Sequence, residues 1–131
     1  MFDSKRQASA ARNRVASRPI DPQEAIAYLL DRLPGYDGYL TFPDECHALL
    51  HLAMGDLGRY YMAEVRRHPD LLRTYWSAVE RLASEGDEPV RNAVHASLIE
   101  WFACGGQDEK DALVEAAEMQ GLATAAIIRH Y

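Results

Sequence analysis

The fold is decided by residues 71–102, which read LLRTYWSAVERLASEGDEPVRNAVHASLIEWF. Apolar side chains recur every three or four residues on both sides of a short acidic turn, and this is the period of an amphipathic α-helix. Gly86 is typical of the position just past a helix end. Asp87 or Glu88 can favour the free amides of the next helix, whose first turn tolerates Pro89.

These residues therefore predict two consecutive helices with one shared core. The positions on the two apolar stripes that we expect to meet are Leu72, Tyr75, Val79, Leu82, Val94, Leu98 and Trp101. The polar positions expected to face outward on the first of the two helices are Asp70, Arg73, Glu80 and Arg81. The stretch thus indicates a helical hairpin with an acidic turn.

Two further helices are predicted before this hairpin. The first begins with Asp21 as its N-cap and stops at Pro34. The second opens at Pro43 and runs through ECHALLHLAM. Gly55 and Gly58 then interrupt it, and because each interior glycine costs about 1 kcal/mol relative to alanine, they predict a kink or a tight helix-to-helix turn.

The C-terminal region is also predicted to be helical. Gly105 and Gly106 stop the preceding helix, and a break follows at Gly121. The apolar face of this region is expected to contain Leu113, Ala116, Ala117, Leu122, Ile127 and Ile128. No stretch shows the strict alternation of a half-buried strand. The predicted fold class is all-α: a compact multi-helix bundle of antiparallel helical hairpins, short and α-solenoid-like.

Charge divides the 131 residues into a basic segment and an acidic body. Residues 1–20 hold five basic side chains against one acidic, whereas residues 21–131 hold nine against nineteen, a net charge of −10. Residues 1–20 have almost no large apolar side chain, so we expect a flexible or weakly helical tail; a nucleic-acid arm and a transit peptide are the alternatives. Residues 21–131 are expected to form a single helical domain.

The histidines superficially resemble a metal-binding face. His47 and His51 are four residues apart, beside Glu45 and Cys46, and a third ligand could come only from a distant histidine. The candidates for that third ligand are His68, His95 and His130. Ala48 follows His47 where a zinc hydrolase of the H-E-x-x-H type needs glutamate. We therefore expect no metal site and no cofactor.

No pattern typical of catalysis is present. The sequence lacks a GxSxG elbow, a P-loop and a dinucleotide fingerprint. Cys104 falls at a predicted helix end, where the helix dipole disfavours a thiolate. We expect no catalytic residue, and a protein that is not an enzyme. With only two cysteines and no apolar run near the ~20 residues that span a bilayer, we expect reduced thiols and a cytoplasmic location.

A family resemblance covers roughly two-thirds of the chain. The segments LLHLAMGDLGRYYMAEV (49–65), 71–102 and AAEMQGLATAAIIRHY (116–131) occur in an order that is similar to a family of small all-helical bacterial proteins found beside polymorphic toxins. The most specific match is SEGDEPVRNAVHASLIEWF, residues 84–102. Members of that family look like immunity proteins of those toxins. The resemblance implies a non-enzymatic protein that neutralises a cognate toxin by stoichiometric binding.

The acidic body supports the same hypothesis. A compact partner of this charge approaches a basic, phosphate-binding toxin surface quickly, although the same charge also serves solubility. The predicted contact residues are Asp87 and Glu88 at the acidic turn and Asp56 at the glycine-flanked turn. No membrane and no nucleic acid are expected as partners. The alternative is a helical scaffold or adaptor with no toxin partner.

Overall fold

The computed structural model describes residues 18–45 and 49–131. Its helices are α1 (Pro22–Arg32), α2 (Leu50–Tyr60), α3 (Pro69–Glu85), α4 (Glu88–Ala93), α5 (Glu100–Ala103), α6 (Gln107–Glu115) and α7 (Leu122–Ile128). A π-helical turn, Tyr61–Val65, continues α2, and a second, Val94–Ile99, joins α4 to α5. Short 3₁₀ turns lie at Tyr36–Tyr39 and Ala117–Met119. The predicted all-α bundle is confirmed.

The predicted helix starts are confirmed where a side chain caps the helix. Asp21 precedes α1, and its carboxylate accepts a hydrogen bond of 2.8 Å from the amide of Glu24. Asp87 precedes α4, and its carboxylate accepts one of 3.0 Å from the amide of Val90. In each case the cap satisfies an amide that has no partner within the helix, so the sequence sets these two boundaries locally.

The region around Gly55 and Gly58 differs from its prediction. Pro43 lies in a turn and α2 begins only at Leu50, with residues 46–48 outside the described ranges. The predicted kink is wrong, since α2 runs through both glycines. Gly58 is instead required by a neighbour: a Cβ added there would lie 2.5 Å from Cε3 of the Trp101 indole. Glycine allows the close approach of that ring.

The shared core is confirmed at its centre. Tyr75, Val79, Leu82, Val94 and Leu98 are fully buried, whereas Leu72 and Trp101 are partly buried at its edge. The large aromatic side chains within the core are Tyr36, Tyr60, Tyr61, Tyr75, Trp76 and Phe102. The tyrosine hydroxyls in it have partners: that of Tyr75, for example, donates to the carbonyl of Leu57 at 3.0 Å. Burial therefore leaves the polar ends of these rings satisfied.

The folded domain begins before the predicted boundary at Asp21. Ile20 is buried, its amide donates to the carbonyl of Glu85 at 2.9 Å, and its carbonyl accepts from the amide of Asp87 at 2.8 Å. These two bonds form a parallel bridge with Gly86. The chain before α1 is thus attached to the α3–α4 turn, while residues 1–17 of the predicted tail lie outside the described ranges.

The last helix is held by a residue that was expected to face outward. The carboxylate of Glu80, on α3, accepts hydrogen bonds from the amides of Ala123 at 3.1 Å and Thr124 at 2.9 Å. It thereby caps the N-terminal turn of α7 across the bundle. Leu122, at the start of this helix, is 88% exposed, so its predicted place on the buried face is wrong, as is that of the exposed Ala117.

Candidate functional site

Two adjacent cavities lie along α4, the π turn Val94–Ile99 and α5. The first, called here the α4 cavity, has a volume of about 780 Å³, and its lining includes His51, Glu88, Arg91, His95, Ala123 and Ile127. The second, called the α5 cavity, has a volume of about 500 Å³ at the α5–α6 turn, and its lining includes Ser97, Glu100, Trp101, Cys104, Gly105 and Glu109. Nδ1 of His51 lies 2.5 Å from Oγ of Ser97, so a hydrogen bond joins the two linings.

The α4 cavity has mixed charge and a histidine-rich edge. Exposed Glu88 and Arg91 both belong to its lining, so neither sign of charge dominates. The ring of His95 stacks on that of His130 with their centroids 5.7 Å apart, and Tyr131 meets His95 edge-on, also at 5.7 Å. The C-terminal residues are thereby placed against the π turn.

The predicted metal candidates are not brought together as a ligand set. His95 and His130 are neighbours, but His51 bonds Ser97 and His68 lines a separate cavity with Glu64 and Asp70. In residues 18–45 and 49–131 there is no group of three or more His, Cys, Asp or Glu side chains placed to hold a metal ion. His47 and Cys46 lie outside those ranges.

The α5 cavity has an aromatic wall that is fixed in position. One side of the Trp101 indole lies against the backbone at Gly58, and its ring meets Phe102 edge-on at 5.1 Å and 88°. Trp101 is only partly buried, and it contributes to the lining of the cavity. Contacts on two sides restrict the ring, so it needs little further ordering when a ligand binds.

The charged groups of the α5 cavity are carboxylates. Glu100 is exposed and Glu109 is half-exposed, and neither takes part in an ion pair with any residue in the described ranges. Cys104, a free and exposed cysteine, completes the wall. Burial raises the pKa of Tyr131, and the negative charges of Glu100 and Cys104 raise it further. Tyr131 therefore lies within electrostatic range of this cavity.

The three predicted contact residues differ in their exposure and in their hydrogen bonds. Glu88 is exposed at the α4 cavity, and Asp87 is half-buried because it caps α4. Asp56 does not lie on a turn as predicted: it is inside α2 and 3% exposed. Its carboxylate accepts hydrogen bonds of 2.8 Å from both the amide and the hydroxyl of Thr41, and one of 2.5 Å from Arg59. Both carboxylate oxygens of Asp56 thus accept hydrogen bonds from within the protein.

Sequence reasoning missed the α5 cavity. Glu100 and Glu109 could be recognised only as carboxylates near helix ends, and Trp101 only as a core residue. The one available signal was the Gly105–Gly106 stop between two acidic residues, Glu100 and Glu109, because it places both next to the same turn.

Fold and surface together define a small all-α protein with an acidic and aromatic face. Residues 26–126 match the family DUF7674, a domain of unknown function, and the chain belongs to this family. No curated protein and no solved structure matches the chain. Across the described ranges, no helix has the length and apolar character needed to cross a bilayer.

Proposed function

We propose that this protein binds a basic protein partner stoichiometrically and without turnover, and that the partner is a cognate bacterial toxin that it neutralises by covering it. The observation that carries the proposal is the excess of carboxylates that form no ion pair. Residues 18–131 contain nineteen Asp and Glu side chains. Five of them form an ion pair with a residue of the described ranges, namely Glu24, Asp31, Asp56, Glu85 and Glu115.

Such a surface favours a basic partner for two physical reasons. Unpaired carboxylates on one protein attract the cationic surface of another over about a Debye length, which raises the association rate. They also form charge-assisted hydrogen bonds once the surfaces meet. A nuclease toxin, whose active site must hold phosphate, presents the complementary charge.

The aromatic side chains beside the carboxylates support binding rather than solubility alone. Trp101 is partly buried and Tyr131 is 51% exposed. The ring of His95, which lines the α4 cavity, stacks on that of His130 and meets Tyr131 edge-on. Tyrosine and tryptophan are enriched in protein interfaces and among the few residues there that contribute most of the binding energy. An interface of about 800 Å² per partner would cover about a tenth of the 8053 Å² surface.

The experiment is a titration of toxin activity. The protein is co-expressed with any toxin candidate encoded beside its gene. The two are purified, and residual toxin activity is measured at known ratios. We expect protection in the cytoplasm of the producing cell and, in vitro, saturation near one equivalent. The association rate should fall steeply as ionic strength rises.

Two results would overturn the proposal. Protection at strongly substoichiometric amounts means that the protein acts by turnover. The absence of a complex at micromolar concentration, or of any toxin gene beside this one, removes the toxin and favours the alternative of a helical scaffold that joins other cellular proteins.

A further inference from the structure

We propose that the α5 cavity receives an arginine side chain of the protein partner. The identity of that partner rests on the proposed function, whereas the chemistry of the cavity rests on its own residues. The relevant lining is Glu100, Trp101, Cys104, Gly105 and Glu109, at the place where α5 ends and the turn to α6 begins.

Electrostatics in this cavity favours a cation. Glu100 and Glu109 contribute two carboxylates that no cation of the described ranges neutralises, and the lining contains neither Lys nor Arg. The continuous helix from α4 to α5 also ends here, with no basic residue in its last turn. The carboxyl end of a helix carries partial negative charge and favours cations.

The α4 cavity lacks this preference, although it is larger. Arg91 is part of its lining and offsets Glu88. A cation entering the α4 cavity therefore meets a like charge, while one entering the α5 cavity meets none from the lining.

The indole of Trp101 favours a guanidinium over other cations. A planar guanidinium stacks on an aromatic ring and at the same time donates hydrogen bonds in its plane, which a compact ammonium cannot do equally well. The backbone at Gly58 and the ring of Phe102 hold the indole in place. Carboxylates beside a fixed ring thus match the two ways in which arginine is recognised.

The test is an NMR titration of the intact protein with Nα-acetyl-arginine amide. The indole Nε1–H resonances report separately on Trp76, which is buried, and Trp101, and the Trp101→Phe variant assigns them. We expect the Trp101 resonance to shift with saturation while that of Trp76 stays in place. The neutral analogue Nα-acetyl-citrulline amide has nearly the same shape and should produce no saturable shift.

Paired variants test the carboxylates. Glu100→Gln together with Glu109→Gln should weaken binding of the arginine derivative at least about fivefold, since two partly exposed charge pairs contribute roughly this much together. Glu118→Gln is the matched control, because Glu118 is exposed on the neighbouring 3₁₀ turn and is not part of the cavity lining. It should change the affinity less than twofold. Melting curves confirm that all variants are folded.

Three of the following outcomes would overturn the inference, and one would overturn only the proposed function. Equal shifts with the citrulline analogue would show that charge is not recognised, and equal weakening by Glu118→Gln would show that the general acidity of the surface is responsible. If the arginine derivative binds as expected but no toxin is found, the proposed function fails and the cavity assignment stands. If a toxin complex forms with unchanged affinity in the Glu100→Gln, Glu109→Gln protein, this cavity is not its contact.

Discussion

Replacing Gly58 by alanine tests how the fold positions the Trp101 ring. The added methyl would lie 2.5 Å from Cε3, 2.7 Å from Cδ2 and 3.0 Å from Cζ3 of the indole, so the ring or α2 must move. Overpacking of this kind costs about 1–3 kcal/mol. Alanine recovers about 1 kcal/mol of helix propensity. The net effect on the free energy of unfolding is a loss of about 0–2 kcal/mol.

Gly55 supplies the matched control within the same helix. A Cβ added at Gly55 meets no heavy atom within 4 Å, so Gly55→Ala keeps the gain in propensity without the collision and should stabilise by about 1 kcal/mol. The two variants should therefore differ by about 1–3 kcal/mol, or at least about 3 °C in Tm for a chain of this size.

The assay is urea denaturation of both variants, combined with NMR of the Trp101 indole. The indole resonance should move in Gly58→Ala and stay unchanged in Gly55→Ala. If Gly58→Ala stabilises the protein as much as Gly55→Ala and leaves the resonance in place, the ring does not press on α2 and its fixed position is refuted.

Three further predictions concern the bundle. Leu98→Ala should destabilise by about 2–5 kcal/mol in urea denaturation, because Leu98 is fully buried, while Leu122→Ala at the 88% exposed position should change the midpoint little. Glu80→Gln should lower the free energy of unfolding by about 1 kcal/mol and speed hydrogen exchange of the Ala123 and Thr124 amides, which donate hydrogen bonds to this carboxylate. Unchanged exchange of these two amides would contradict the cap. Hydrogen bonding by Arg66 lowers the pKa of Glu115. This pair should therefore stabilise the fold at pH values above the unfolded pKa of glutamate, and its contribution should be lost as pH falls through the folded pKa. Arg66→Met should remove that part of the acid dependence of the melting temperature.

Local chemistry made much of the fold predictable. The N-caps Asp21 and Asp87 act on amides three residues away, so a sequence pattern contains both partners of the hydrogen bond. The apolar period likewise identified the stripe of α3, since a helix of 17 residues repeats it many times.

The wrong predictions concern residues whose role depends on a contact with a distant part of the chain. Gly58 resembles a helix breaker until Trp101 is placed against it, and Asp56 resembles an exposed turn residue until Thr41 and Arg59 surround it. The contacts of Trp101 with Gly58 and of Thr41 with Asp56 join segments that are distant in sequence, so no local pattern contains them. The π turns leave no mark in the sequence either, because the apolar period continues through them.

The candidate site was predictable only in part. Glu88 was identified correctly as an exposed carboxylate at the start of a helix, since its neighbours define that start. The α5 cavity lies at the turn between α5 and α6, and its wall includes Trp101, whose position depends on the distant Gly58. The sequence shows the two carboxylates near one turn, but it does not show the place of the ring beside them. The functional hypothesis therefore depended on the family resemblance and the net charge alone.

The bridge between Ile20 and Gly86 has a consequence for the order of folding. It closes a loop of about 65 residues that contains α1, α2 and α3, and closing so long a loop is entropically unfavourable until the intervening helices have docked. The helices can form from local contacts, but this bridge cannot. The amides of Ile20 and Asp87 should therefore be among the last to gain protection during refolding, and their protection marks the moment at which α1 and the α3–α4 turn become one cooperative unit.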